Sequence, residues 1–153
     1  MEKINYKGYK RPSDYVCFEI GENRIRVISS GAMGLQHGLR TANRWVNLGL
    51  CTGDNCEHCA KGNLAKRFWR WIVYDYADAG VKMLDAGPMI GNQICELADK
   101  LNDDPQNYDL IIVRKGLGLK TKYETRKAPE NKEPEKEGIK SKKRYLINKY
   151  FVQ

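Results

Sequence analysis

The 153-residue sequence contains no run of about 20 apolar residues, the length that a membrane-spanning helix requires. Its first residues are polar and charged, so the apolar core of a secretory signal is also missing. We therefore expect an intracellular protein that does not interact with a membrane. If the protein is viral, we expect it in the cytoplasm of a bacterial host.

Histidine is scarce as well, with two residues in the chain. Metal-assisted hydrolysis needs clustered carboxylates, and acid–base catalysis often uses a free histidine. Asp75, Asp78 and Asp85 are near one another in sequence, but they fall on a turn and at strand ends, where solvated caps are the ordinary interpretation. A glycine-rich phosphate loop is missing too, because residues 115–118 form a hairpin turn in this interpretation. We expect no enzymatic activity and no small-molecule substrate.

The five cysteines are an odd number, and three of them, Cys51, Cys56 and Cys59, lie within nine residues. Disulfide frameworks more often use an even number of dispersed cysteines, so the clustering favours a metal ion. The alternative is a redox pair at Cys56 and Cys59, but such a pair normally starts a helix in a β–α–β unit, which this region lacks. Cys17 and Cys95 occur in apolar patterns and are predicted to be buried.

The spacing C-x4-C-x2-C supplies three thiolates, and a structural zinc site takes four tetrahedral ligands. His58 lies between two of the cysteines, where its side chain would usually point away from the metal. His37 lies upstream, at the edge of a glycine-rich loop, and can close the site from outside. The predicted site is a Zn²⁺ ion bound by His37, Cys51, Cys56 and Cys59. Its role is structural, because four protein ligands leave no position for water or substrate.

Strand-forming residues and turn signals divide the chain into short elements. Strands are predicted at 15–20, 24–28, 41–48, 67–76, 81–84, 108–114 and 119–124, with a loop over 29–40 and one helix that starts at 87–88. This order of strands around a single helix is that of an OB-fold. We therefore predict a mainly β protein with one helix, built as a five-stranded OB-fold barrel with a zinc-binding insertion between its first two strands.

Composition divides the chain into three regions. Residues 1–14 are polar and lysine-rich and are predicted to be a flexible basic arm. Residues 15–125 form the predicted OB-fold domain, with the zinc subdomain at about 36–62. Residues 126–153 are rich in lysine, glutamate and proline and are predicted to be a basic, disordered tail with an apolar end.

The net charge of +8 indicates an acidic partner, most commonly nucleic acid. Residues 66–71 interleave cations with aromatic rings, a combination that binds single strands because cations contact phosphates and rings stack on unpaired bases at about 1–3 kcal/mol each. Some of these rings must be core, and the alternation of the strand does not show which. The predicted contact residues are Arg44, Trp45, Lys66, Arg67, Phe68, Trp69, Arg70, Tyr74, Tyr76, Arg114, Lys115, Lys120, Lys122 and Tyr123.

The ligand order His-Cys-Cys-Cys, followed by Lys-Arg-Phe-Trp at 66–69 and the helix start at 87–90, resembles the zinc-containing single-stranded DNA-binding proteins of T-even and related bacteriophages. Residues 108–123 are similar to the closing hairpin of smaller phage proteins of this type. The resemblance covers about residues 15–125. It implies an OB-fold, zinc at the four ligands and DNA contacts from residues 66–69. The family's acidic tail is basic here, and its cooperative N-terminal module is not evident in residues 1–14.

We expect a sequence-tolerant single-stranded DNA-binding protein of phage DNA replication, recombination and repair. Its partners would be single-stranded DNA and replication or recombination proteins. The alternative is an RNA-binding or zinc-ribbon accessory factor in transcription or translation, because OB-folds bind RNA as readily.

Overall fold

The computed structural model describes residues 1, 3–8, 13–42 and 44–151. The strands are β1 (Gly21–Val27), β2 (Ala32–Arg40), β3 (Trp45–Leu50), β4 (Lys66–Asp75), β5 (Gly80–Ala86), β6 (Asp109–Lys115) and β7 (Lys122–Lys127). The helices are α1 (Glu57–Ala60), α2 (Pro88–Leu101) and α3 (Ile139–Tyr150). Among these described helices, none is long and apolar enough to cross a membrane.

Strand β4 is the centre of a single antiparallel sheet of seven strands. Its ten residues are dense in aromatic and β-branched side chains, which favour extended backbone. One edge of β4 pairs with β5, while the other edge pairs with β2 near its start and with β1 near its end. Beyond these strands the sheet continues to β3 on one side and through β6 to β7 on the other. The prediction of a mainly β protein is confirmed.

Helix α2 occupies the space between β5 and β7, which do not pair with each other in the described part of the chain. Gln93 Nε2 donates a hydrogen bond of 2.9 Å to the Tyr123 carbonyl, and Gln93 Oε1 accepts one of 2.7 Å from the Thr125 N–H. These bonds satisfy backbone groups on the outer edge of β7 that would otherwise lack partners. The sheet is therefore capped by a helix where a barrel would have its last strand pair.

Side chains of β4 alternate between two apolar layers. Trp69, Trp71 and Val73 belong to the first layer, which lies between the strands and α2. Ile72 and Tyr74 belong to the second layer, on the opposite face and beneath α3. Because β4 is covered on both sides, most of its aromatic rings are core, and the strand shows no simple alternation of polar and apolar residues.

Two segments differ from the strand prediction. Residues 15–20 were predicted as a strand, but only Tyr15 forms a bridge, to Met83. Residues 29–40 were predicted as a loop, but Ala32–Arg40 is strand β2. Glycine within a strand often marks a close approach of another group to the backbone, and a Cβ on Gly34 would lie 2.6 Å from the Phe68 ring. The glycines of this segment thus serve packing against rings.

The region predicted to be a disordered tail contains α3, whose Leu146 is fully buried in the second layer. Five of its 12 residues are lysine or arginine, and this high charge makes the amphipathic pattern of the helix hard to recognise in the sequence. Its apolar residues nevertheless recur on one helix face, with Ile139, Leu146, Ile147 and Tyr150 all packing toward the sheet. The last two residues, 152 and 153, lie outside the described part of the chain.

Asp14 ties the end of the predicted N-terminal arm to α3. Its carboxylate accepts hydrogen bonds from Lys142 Nζ at 2.7 Å, Tyr150 Oη at 3.0 Å and Lys149 Nζ at 3.3 Å. These bonds, led by the one from Lys142, lower the pKa of Asp14 to about 2. Residues 2 and 9–12 of the predicted flexible arm lie outside the described part of the chain.

Truncation of Leu146 tests whether α3 is an integral part of the fold. We expect Leu146→Ala to lower the free energy of unfolding by about 2–5 kcal/mol, because it leaves a cavity in the second layer. Urea denaturation followed by circular dichroism measures this. Ser141→Ala, an exposed position on the same helix, is the matched control and should change stability by less than about 0.5 kcal/mol. Equal stability of the Leu146 variant and wild type would contradict the packing.

Candidate metal centre and adjoining groove

The four residues predicted to bind metal come together in the structure. His37 lies on β2, Cys51 follows β3 directly, Cys56 precedes α1 and Cys59 lies within it. Their ligand atoms all lie within 4.8 Å of one another. His58 is not part of this cluster, as predicted, although its ring centroid lies 5.3 Å from that of His37. The cluster can hold a metal ion.

The distances between ligand atoms fit a single tetrahedral ion. His37 Nε2 lies 3.2 Å from Cys56 Sγ and 3.4 Å from Cys59 Sγ, and the sulfurs of Cys51 and Cys59 are 3.6 Å apart. Metal–ligand bonds of 2.0–2.3 Å in a tetrahedron place the ligands roughly 3.3–3.8 Å apart. One imidazole and three thiolates form a donor set for a borderline or soft transition metal, whereas Ca²⁺ and Mg²⁺ take oxygen ligands.

Local backbone geometry directs these ligands inward. Strands β2 and β3 form a hairpin whose register shifts between His37 and Gly38. Such an irregularity re-aims a side chain, and the His37 ring is fully buried. On the other side of the site, Gly53 has a φ of 88°, which favours glycine, and its carbonyl accepts a 3.1 Å hydrogen bond from the Cys56 N–H. The tight turn thereby delivers Cys56 to the cluster.

Asn63 orients the histidine ligand and was not predicted from the sequence. Its Nδ2 donates a 2.9 Å hydrogen bond to the Gly38 carbonyl, so its Oδ1 is the atom that faces His37 Nδ1, also at 2.9 Å. His37 Nδ1 therefore carries the proton, and Nε2 presents its lone pair to the cysteines. Such an outer partner is typical of metal-binding histidines. An asparagine four residues after Cys59 carries no sequence signal that would identify this role.

The thiols of the cluster differ in the direction of their pKa shifts. Hydrogen bonds, first from the Cys59 backbone and then from that of Thr52, lower the pKa of Cys56 to about 5. The pKa of Cys59 rises to about 11, because its thiol is hydrogen-bonded to that of Cys51 and is removed from water. The protein favours one thiolate and disfavours a second beside it. A bound cation reverses that second preference and lets all three sulfurs be thiolates.

All five cysteines are described, and none forms a disulfide. The prediction that Cys17 and Cys95 are buried is wrong, since both are exposed. Cys17 lies in the irregular segment before β1, and Cys95 lies on the side of α2 away from Ile90 and Ile94. Ile94 beside Cys95 is buried and Val16 and Phe18 beside Cys17 are partly buried, but the cysteines themselves face outward.

Beside the metal centre, Trp45 and Lys66 begin a groove. The Trp45 side chain is 39% exposed, and Lys66 Nζ lies 4.5 Å from its ring centroid. The ring packs closely against Gly38, where a Cβ would come within 1.8 Å of Trp45 Cζ2. This end of the groove is a hollow of about 320 Å³, lined by Gln36, Trp45, Lys66, Arg67, Gly87 and Pro88.

A second hollow of about 440 Å³ adjoins the first at Gly87, which lines both. Arg114 and Tyr123 lie in this second hollow. Two sets of predicted contact residues, from β4 and from the β6–β7 hairpin, therefore meet along one groove. The groove is open and carries cations at both ends and aromatic rings on its walls.

Three of the predicted stacking residues are not accessible. Phe68, Trp69 and Tyr74 are 5%, 8% and 3% exposed. Stacking on a base requires a free ring face, so the prediction of nucleic-acid contact from these rings is corrected: they are core residues of β4. Tyr76 is half-buried, and its hydroxyl donates to Asp109 Oδ1 at 2.8 Å.

Arg70 is engaged in internal contacts. Its Nε and Nη2 bind the two oxygens of Asp85 at 2.7 and 2.9 Å, and its Nη1 donates to the Tyr150 carbonyl at 2.8 Å. The bond to Asp85 raises the pKa of the Arg70 guanidinium. Arg44, by contrast, is exposed at the start of β3.

The β6–β7 hairpin carries the remaining predicted cations. Lys115 pairs with Glu124 at 3.2 Å, and Arg114 Nη1 donates to the Phe18 carbonyl at 2.7 Å. Lys120 and Lys122 are exposed and form no ion pair within the described residues. Of the exposed cations, Lys66 and Arg67 line the groove, whereas Lys120 and Lys122 line neither of its two hollows.

Comparisons with protein-family models, with curated proteins and with solved structures find no match for this chain.

Proposed function

We propose that this protein binds single-stranded DNA with little sequence preference, in the groove beside the metal centre. The observation that carries the proposal is the exposed Trp45 ring, with Lys66 against it and Arg67 beside it, at one end of an open groove. An accessible ring for an unpaired base next to cations for phosphates is the combination that single-strand binding uses. The net charge of +8 agrees with a polyanionic partner.

The arrangement of strands supports an OB-fold. In pairing order the strands β5, β4, β1, β6 and β7 would be the five barrel strands, with α2 between β5 and β6 in the chain. In such folds oligonucleotides bind across the second and third strands and against the loops between strands one and two and between strands four and five. Those loops would be the metal-bearing hairpin β2–β3, whose Trp45 lines the groove, and the β6–β7 hairpin, whose Arg114 and Tyr123 line it.

The metal ion in this proposal is Zn²⁺ in a structural role. Three thiolates and one imidazole fill its coordination sphere, so it supplies no open position for catalysis. Its contribution is to hold the β2–β3 hairpin, and with it Trp45, against β4. The resemblance to phage single-stranded DNA-binding proteins supports a role in DNA replication, recombination or repair, in which the protein protects single strands without acting as an enzyme.

Titration with poly-dT tests the proposal. We expect binding with quenching of tryptophan fluorescence, and a steep loss of affinity as NaCl rises, since each phosphate contact contributes about 0.7 to the slope of log K against log salt. The double variant Lys66→Glu/Arg67→Glu should bind roughly 10- to 100-fold more weakly at low salt. A matched control, Lys100→Glu/Lys127→Glu, reverses two exposed lysines outside the groove and should bind within about threefold of wild type. Absence of wild-type binding at low salt would contradict the proposal.

A competition binding assay distinguishes DNA binding from the RNA-binding alternative. The protein is saturated with a fluorescent DNA oligonucleotide, and unlabelled DNA or RNA of the same sequence is added. Preference for DNA supports the proposal, whereas tighter binding of RNA would favour the alternative. Nothing in the groove is specific for a 2′-hydroxyl, which is the group that distinguishes RNA from DNA at a given site.

A further inference from the structure

Helix α3 presents cations and an aromatic ring on the side that faces away from the sheet. Leu146 and Ile139 face the sheet, and Lys140, Arg144 and Tyr145 are exposed. Neither Lys140 nor Arg144 has an acidic partner within the described residues. The Tyr145 ring is 47% exposed and has Lys142 Nζ at 4.9 Å and Lys149 Nζ at 5.5 Å from its centroid.

Charge on this outward side is only partly balanced. Asp14 binds both Lys142 and Lys149, which leaves one positive charge beside Tyr145 among these three groups. Arg144 and Lys140 add two more. An accessible ring among uncompensated cations repeats the chemistry of Trp45 and Lys66 in the groove.

The C-terminal end of α3 lies close to the groove. Arg70 Nη1 donates to the Tyr150 carbonyl, and the guanidinium lies 5.9 Å from the centroid of the Phe151 ring. Arg70 is four residues along β4 from Lys66, or about 13 Å at the rise of a strand. The N-terminal end of α3, at Ile139, shares a hollow with Val81 and Tyr74 near the far end of β4. Helix α3 therefore runs along β4, away from the groove.

We propose that the outward face of α3, formed by Lys140, Arg144 and Tyr145, is a second contact surface for the nucleic-acid strand that the groove binds. This inference rests on the proposed function and extends it. The 12 residues of α3 span about 18 Å, which is the length of several nucleotides of an extended single strand. A strand long enough to leave the groove would thus meet phosphate-binding cations and one stacking ring along the helix.

An anionic membrane is the other partner that a basic helix would suit, and the packing of α3 argues against it. Interfacial helices insert their apolar face into the lipid. Here that face covers the second core layer, and Leu146 is 0% exposed. Only the polar side is free, which suits the phosphates and bases of a nucleic acid.

The test compares a short and a long oligo-dT, of about 8 and about 30 nucleotides, because OB-folds cover about 4–16 nucleotides. We expect Lys140→Glu/Arg144→Glu to weaken binding of the long strand roughly 10-fold, to reduce its salt slope by about 1 and to leave the short strand within about twofold of wild type. Tyr145→Ala should weaken binding of the long strand about five- to 100-fold. Both variants change exposed side chains, and thermal unfolding confirms that α3 remains folded.

Wild-type binding of both strands combined with unchanged binding by the α3 variants would overturn this inference and leave the groove intact. Failure of wild type to bind either strand would instead overturn the proposed function. Lys100→Glu/Lys127→Glu serves again as the matched control, and an equal loss in this control would also overturn the inference. So would binding to phosphatidylserine vesicles that the α3 variants abolish while their binding of the long strand stays normal.

Discussion

Cys56→Ser is expected to release the metal ion and to unfold the β2–β3 hairpin while the sheet around β4 stays folded. Cys56 is the buried thiol of the cluster and lies 3.2 Å from His37 Nε2. In zinc-finger peptides the binding of a structural zinc ion contributes apparent free energies of about 10–16 kcal/mol, so the loss of one thiolate has a large effect. Beyond the pairing of β2 with β4 over residues 32–36, the hairpin buries little apolar surface, since four of its leucine and methionine side chains are at least 42% exposed.

The measurements for this variant are metal content by mass spectrometry under native conditions and affinity for poly-dT. We expect a drop from one ion per chain to none, together with DNA binding weakened on the order of 100-fold, because Trp45 loses its place beside Lys66. Cys95→Ser, at an exposed cysteine on α2 that lines neither hollow of the groove, is the control and should retain both the ion and binding. A Cys56→Ser protein that keeps its ion would refute the four-ligand site.

Asp109→Asn is expected to lower the free energy of unfolding by about 3–5 kcal/mol, because it removes one partner from a buried ion-pair network. The carboxylate is fully buried and accepts hydrogen bonds from Arg24, Arg26 and the Lys132 N–H, each at 2.7 Å. Tyr76 Oη adds a fourth at 2.8 Å. Removing the negative charge leaves two guanidinium groups without compensation.

The same network makes stability depend on pH. Burial raises the pKa of Asp109, but the hydrogen bonds from Lys132, Tyr76 and the two arginines outweigh burial and leave the pKa below its ordinary value of 3.8. A carboxyl with a depressed folded-state pKa stabilises the protein above about pH 4 and loses that contribution as the pH falls further. Urea unfolding from neutral to acid pH should show this loss in wild type and a flatter profile in Asp109→Asn. Glu124→Gln, at an exposed ion pair, is the control and should follow wild type. Because Asp14 also contributes to acid sensitivity, the result that would refute the assignment is a profile in the Asp109 variant as steep as that of wild type.

The metal site and the central elements are predictable because their signals are local. Three cysteines within nine residues and one upstream histidine define the cluster without knowledge of the fold. The aromatic and β-branched run of β4 and the amphipathic pattern of α2 likewise depend on near neighbours in sequence. The order of these elements gives the mainly β architecture.

Features that depend on distant contacts were not predictable. Trp69 is a core residue because it packs in the first layer against α2, and α2 lies about 20 residues later in the sequence. Strand β2 is rich in glycine because rings of β4 and β3 lie against it, a reason that appears only once the strands are paired. Asn63 has a role only because Gly38 and His37 are brought beside it.

Helix α3 has a consequence for how the chain folds as it is made. The second apolar layer consists mainly of β4 and β5 side chains, yet its cover is Leu146 and its neighbours, which are synthesised about 70 residues later than β4. Ile72, Tyr74 and Val81 therefore stay exposed to solvent on the nascent chain until α3 has left the ribosome. Before α3 packs, the sheet exposes this apolar face to solvent, and exposed apolar surface promotes aggregation at high expression. Chains terminated before residue 138 lack α3 and should therefore collect in the insoluble fraction.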